Sequence, residues 1–239
     1  MLRVFYDLKR SMTYLVLFSI LSFIMISFFW QRDISKYDVN MFNYYFFGVN
    51  YLGMLYIISR LYIEDFKTGA IKNLYVATLS NIKILKIRII SSISVGFIFF
   101  LLSQINVLIS YKKLGKVFEV GKFLELSFSM MCIYCLVAIL IAAYAGLISH
   151  AISNNRRAYI IAMFPPLLLH YFLPFILFLN QSKGNFYLNK MLQYIPNGLI
   201  IGWTNTWEIS LLQFFIFLIW VFIFFVATIL ITNHKDLSN

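Results

Sequence analysis

Six stretches of this chain run for at least 21 residues without a charged side chain: 11–31, 39–59, 89–111, 126–155, 158–182 and 209–233. A helix rising 1.5 Å per residue needs about 20 apolar residues to cross roughly 30 Å of hydrocarbon, so each window is long enough to span. The sequence is 62% hydrophobic and only 12% charged over 239 residues. That leaves too little polar surface to cover a water-soluble domain of this length. Continuous apolar runs of this length satisfy their backbone groups in lipid as helices. The expected fold class is an all-α membrane protein with six transmembrane helices. A seventh apolar window, 191–207, has 17 residues and is interrupted by Pro196, Asn197, Gly198, Gly202 and Asn205. Too short to cross, it reads as a re-entrant or interfacial part of an external segment, 180–208, with Trp203 and Trp207 suited to the headgroup layer.

A net charge of +11 would suggest nucleic acid for a soluble protein. Here the Lys and Arg side chains sit between the windows, where anionic headgroups attract them, and no nucleic-acid partner is expected. With the N-terminus in the cytosol, 12 Lys and Arg fall inside and 8 outside, which orients both termini to the cytosol. No small-residue cleavage site follows the first apolar run, so that run is expected to remain as a span.

Residues 1–12 can wind into a helix with Leu2, Val4, Phe5, Leu8 and Met12 on an apolar arc and Arg3, Asp7 and Arg10 opposite. This is the pattern of an interfacial helix preceding the first span, or simply of a basic topogenic flank. The longest polar interruption is 60–88, RLYIEDFKTGAIKNLYVATLSNIKILKIR. Within it Ile71, Leu74, Tyr75, Thr78 and Leu79 recur at helical spacing, Gly69 suits a helix end and Ser80 a cap. The expectation is a break near Gly69 and a short cytosolic helix before the third span.

Several chemistries are missing from the sequence. There is no phosphate-binding G-x-x-x-x-G-K-[ST] loop, no H-E-x-x-H zinc helix and no G-x-S-x-G elbow, and no cytosolic stretch is large enough for an ATPase domain. No Asp or Glu lies within the windows, whereas ion-coupled transport normally places a carboxylate at membrane depth. Energy is therefore expected from outside the chain. Cys132 and Cys135 lie inside a span and read as packing residues, since a thiolate would be poorly solvated there. His170 lies mid-span near Pro165, Pro166 and Pro174, where it would line a cavity, relay protons or bond a neighbouring helix. Phe (26) and Tyr (16) are abundant, through the codon bias of an AT-rich genome or because aromatic faces line a path for an amphipathic cargo.

Taken together, six spans, an interfacial N-terminal helix, a polar segment between spans two and three and a proline-containing external segment before span six resemble the ABC-2 type permeases, the membrane subunits of type V exporters. The most specific stretch is EDFKTGAIKNLYVATLSNIKILKIRII, in which Glu64, Gly69, Ser80 and Lys86 fit the family pattern of acidic residue, glycine, short amphipathic helix, serine turn and lysine. The proline usual just before that serine is absent, Thr78 and Leu79 standing there. QYIPNGLIIGW is similar to the family's external segment through Pro196.

The resemblance implies a bacterial cytoplasmic-membrane permease whose cytosolic coupling helix docks a separate ATP-binding cassette ATPase through Glu64, Gly69, Ile71, Lys72, Leu74, Tyr75, Ser80 and Lys86. The chain itself would hold no cofactor, ATP and Mg being bound by that partner. A second permease copy, identical or different, would help enclose the path, with Tyr45, Phe46, His170 and Phe172 as path residues. Size and Phe/Tyr richness look most like the permeases that export phenol-soluble modulins or confer immunity to peptide antibiotics, so the implied cargo is an amphipathic peptide or lipid-like compound. Two other classes compete: a non-transporting assembly or sensor protein, and an intramembrane enzyme, which would need a convergent acid, base or metal constellation at membrane depth.

Overall fold

The computed structural model describes residues 2–30, 39–67, 81–115, 119–152, 154–182 and 186–236. Among these, eight helices follow one another: α1 (Leu2–Trp30), α2 (Val39–Lys67), α3 (Asn81–Lys113), α4 (Val120–Ala151), α5 (Asn155–Ser182), α6 (Phe186–Gln193), α7 (Pro196–Thr206) and α8 (Leu211–Asp236). Six of them, α1 to α5 and α8, are long and apolar enough to cross a membrane, over Tyr6–Phe28, Val39–Ile63, Lys86–Lys113, Val120–Ala151, Asn155–Gln181 and Leu211–Thr232. The described residues are helical, apart from turns and short connections, with six candidate spans, as the charge-free windows predict.

Helix α2 is the hub. Of its apolar window 78% is buried, against 22% for α1 and 17% for each of α5 and α8. It packs on α1, α3, α4, α5 and α7. Lipid gives helices no hydrophobic drive to associate, so close approach depends on small residues and polar bonds. Helix α4 supplies the small residues, burying Ala138, Ala142, Ala143, Ala145 and Gly146. At Gly96 of α3 a methyl group would come within 2.7 Å of the Tyr134 carbonyl oxygen and 2.8 Å of the Ala138 Cβ of α4, so backbone meets backbone there. The rim helices α1, α5 and α8 instead expose large apolar side chains such as Leu17, Phe175 and Phe222, as lipid-facing surfaces do.

The N-terminal reading needs correction. Residues 2–12 form no separate interfacial helix; they are the first turns of a continuous α1, and no Gly or Pro interrupts 2–30. Two placements depart from the expected faces: Asp7 of the polar side is buried and Met12 of the apolar arc is 62% exposed, while Leu8 of that arc packs on the core. Hydrogen-bonding partners on α3 outweigh the local apolar arc in deciding which face turns inward.

Helix α7, about 16 Å long, reaches only half of a bilayer. Pro196 sits in its first turn, where the missing N–H is not needed. It is buried among α2, α4, α5 and α8 through Leu199, Ile200, Trp203 and Thr204. Trp203 and Trp207 are both buried, so their indoles face neighbouring helices. Each indole N–H finds a protein acceptor, Gln213 Oε1 at 3.1 Å for Trp203 and the Asn40 carbonyl at 3.5 Å for Trp207, as a buried indole requires. Trp207 also ends α7 in the left-handed region, at φ 58° and ψ 30°, a conformation costly for a bulky side chain. Edge-on contact of its ring with Phe47 (centroids 6.1 Å apart) helps hold it there.

Three prolines lie inside α5, and each removes the donor for a carbonyl four residues earlier. The Ile161 carbonyl, freed by Pro165, accepts from Tyr144 Oη of α4 at 3.0 Å, and the Pro166 carbonyl accepts from Asn197 Nδ2 of α7 at 2.6 Å. A neighbouring helix thus satisfies the carbonyl that Pro165 frees, and α7 adds a second bond to the α5 backbone at Pro166. Tyr144→Phe should lower stability by about 0.6–1.7 kcal/mol, the range for polar contacts between membrane helices. A thermal-unfolding midpoint in detergent unchanged from the wild type would contradict that role.

Candidate functional site

Of the residues expected to couple to an ATPase, Gly69, Ile71, Lys72, Leu74, Tyr75 and Ser80 lie outside the described residues. The two helices that flank them are described. Helix α2 continues from its span end at Ile63 to Lys67, and α3 begins at Asn81, before its span starts at Lys86. Each helix thus runs past its apolar window by about one turn, or about 6–7 Å. Glu64 lies on the α2 extension, and Lys86, at the opening of the α3 span, is exposed.

On this same side the structure brings together three groups that the sequence reading kept apart. Asp7 of α1 accepts a hydrogen bond from Ser91 Oγ at 3.0 Å and pairs with Arg88 Nη1 of α3 at 3.4 Å. Both charged side chains are buried, 1% and 7% exposed. Asp7 is one residue inside its span and Arg88 two residues inside its own, so the pair lies at one level. Asp7 thus lies in the first turn of its span rather than near its middle, and Arg88 neutralises it there. The signal was an acid and a base at matching distances from two span ends, legible only once α1 is known to run straight through residue 12. About two turns further along α1, the Arg60 guanidinium of α2 lies 4.3 Å over the Tyr14 ring, a contact worth about 0.5–2 kcal/mol. The Tyr62 ring of α2 fits against Gly146 of α4, where a methyl group would meet it at 3.3 Å. The ends of α1, α2, α3 and α4 are tied together here.

Deeper in the bundle the polar contacts are neutral. Asn50 of α2 accepts from Ser22 of α1 at 2.8 Å and donates to Tyr134 Oη of α4 at 3.0 Å. Asn106 of α3 donates to Asn43 of α2 at 2.9 Å. Between these levels and the ion pair an apolar layer intervenes. In it Phe18 and Phe99 close on Gly53 so tightly that a methyl group added there would lie 3.0 and 2.7 Å from them. The polar contacts act as inter-helix glue.

The four expected path residues do not converge. Phe46 is buried with Ile26 and Phe42, packing edge-on to Phe23 of α1 at 5.2 Å between centroids. Tyr45 is half-buried and packs on that cluster. His170 is buried on the opposite flank of α2, its ring 4.3 Å from that of Tyr51 and 6.0 Å from that of Phe47. Phe172 is 58% exposed on the outer face of α5. His170 therefore packs its ring against α2, and its Nδ1 has no hydrogen-bond partner among the described residues, so the contact is one of rings rather than the expected bond to a neighbouring helix. Cys132 and Cys135 are free and partly buried in α4. Among the described residues no three His, Cys, Asp or Glu side chains are grouped to hold a metal ion.

The chain is a multi-pass membrane protein by the length and apolarity of its helices. No protein-family model matches it, and no curated protein does either.

Proposed function

We propose that this protein is the membrane-spanning permease subunit of an ATP-driven exporter. A separate ATP-binding cassette subunit, holding ATP and Mg, drives it from the cytosol, and the cargo is an amphipathic peptide or a lipid-like antimicrobial compound. The reading rests on one observation: the long polar segment of an otherwise apolar chain is carried between two adjacent helices that both project past their apolar windows. A cytosolic partner pressing on 69–79 would act directly on α2, the most buried helix, and on α3. Both termini then lie in the cytosol of a bacterial cytoplasmic membrane. A second permease copy, identical or not, completes the path, and the exposed aromatic face of α5, with Phe164, Phe172 and Phe175, suits an apolar cargo or that copy better than the buried Phe46 and His170 do.

The test is co-purification with the ATPase encoded beside this chain. Replacing Leu74 and Tyr75 together by Asp puts two charges on the apolar docking face and should reduce recovery of the ATPase at least about tenfold, the 1.4 kcal/mol that even one disrupted contact supplies. Undiminished recovery and undiminished stimulation of ATP hydrolysis would refute docking at this segment.

A further inference from the structure

We infer that Asp7, Arg88 and Ser91 form a breakable latch that passes motion of the 68–80 segment from α3 to α1; the inference rests on the exporter reading. Arg88 lies about two helical turns beyond Ser80, on the helix into which the segment runs. Helix α1 is not contiguous in sequence with that segment, and Asp7 ties it to α3 at the level of Arg88. Displacing the first turns of α3 therefore pulls on α1 through this pair.

Its physics suits a latch better than a staple. Burying two charges costs more than their attraction reliably returns, so an apolar pair would hold two helices at least as firmly. The Arg88 Nη1 stands 3.4 Å from the Asp7 carboxylate, longer than the 2.7–2.9 Å of a strong charge-assisted bond. Both groups sit within the first turn of their spans, so a shift of a few ångströms lets Arg88 snorkel and Asp7 reach water. Opening thus separates two charges at the interface and strands neither in hydrocarbon. The neutral bonds at Asn50 and Asn106, deeper in the same bundle, have no such exit and hold the helices fixed. The pair is a positioning device: closed, it couples the first turns of α3 to α1; open, it lets those turns shift while the bonds at Asn50 and Asn106 keep the rest of the helices in place.

The experiment uses inverted membrane vesicles holding the full chain with its neighbouring ATPase. The probe is a fluorescein-labelled amphipathic Lys/Leu peptide, and the readout is peptide accumulated per ATP hydrolysed. Asp7→Asn should retain the ATPase on co-purification but lower that ratio about tenfold. Ser91→Ala, which keeps the ion pair and removes one donor, should lower it about twofold to threefold. The exchange Asp7→Arg with Arg88→Asp should recover at least half of the wild-type ratio, which ties the loss to the pair rather than to either side chain alone. A wild-type ratio in Asp7→Asn, or an exchange no better than either single change, overturns the latch. If Asp7→Asn fails to reach the membrane, Ser91→Ala decides, and a wild-type ratio there overturns it as well. If the wild-type chain neither binds nor activates the ATPase, the exporter reading fails and takes the latch with it.

Discussion

Gly96→Val should lower the unfolding midpoint in detergent by about 6–12 °C, the equivalent of about 3 kcal/mol in a chain of this size. The added Cβ alone would lie 2.7 Å from the Tyr134 carbonyl oxygen, and a backbone atom cannot swing aside as a flexible side chain can. The helices must separate. Separating them loosens the wall against which Tyr134 presents its hydroxyl to Asn50, so overpacking and loss of a buried bond act together. Gly121 in the first turn of α4 supplies the control, since nothing lies within 4 Å of a methyl group there. Gly121→Ala should leave the midpoint unchanged or raise it slightly. A Gly96→Val midpoint within 2 °C of wild type, roughly the effect of 0.5 kcal/mol, would mean that α3 and α4 do not pack backbone to backbone.

The second large effect is local. Gly198 in the first turn of α7 sits against the Leu192 carbonyl at the end of α6, closer than any side chain permits. Gly198→Val should unseat α7, and with it Trp203 and Trp207, whose indoles pack against Phe217 and Phe47. In a chain with Trp30 and Trp220 replaced by Phe, the two remaining indoles should emit at longer wavelength and be quenched more readily by acrylamide. Emission and quenching equal to those of the Gly198 parent would show that α7 is not inserted among the spans as described.

The spans were legible from the sequence because membrane insertion depends on a local quantity, the length of chain without charge. Each of the six windows, from 11–31 to 209–233, returns as a helix long enough to cross. What failed depended on partners distant in sequence. The apolar arc of Leu8 and Met12 is real, yet Asp7 faces inward because Ser91 and Arg88, more than 80 residues away, satisfy it. The partners of Trp203 and Trp207 are equally distant or hidden from local pattern: Gln213 and the Asn40 carbonyl accept their indole N–H groups inside the protein. Likewise nothing near Pro165 announces that Tyr144 will serve the carbonyl it frees. Phe46, His170 and Phe172 looked alike as aromatic groups in spans; helix register separates them into a rim cluster, a packing contact on α2 and a lipid-facing surface. The expected coupling helix at 69–79 falls outside the described residues, so its case stands on the sequence pattern and on the two helices that flank it.

Reconstitution of the purified chain in liposomes with the ATPase encoded beside it bears most directly on the claim that this is an exporter subunit. The account predicts that vanadate-sensitive ATP hydrolysis rises when the chain is present, and rises further when an amphipathic peptide is added. Hydrolysis that is the same with and without the chain, at equal amounts of ATPase, would contradict it and favour a non-transporting membrane protein.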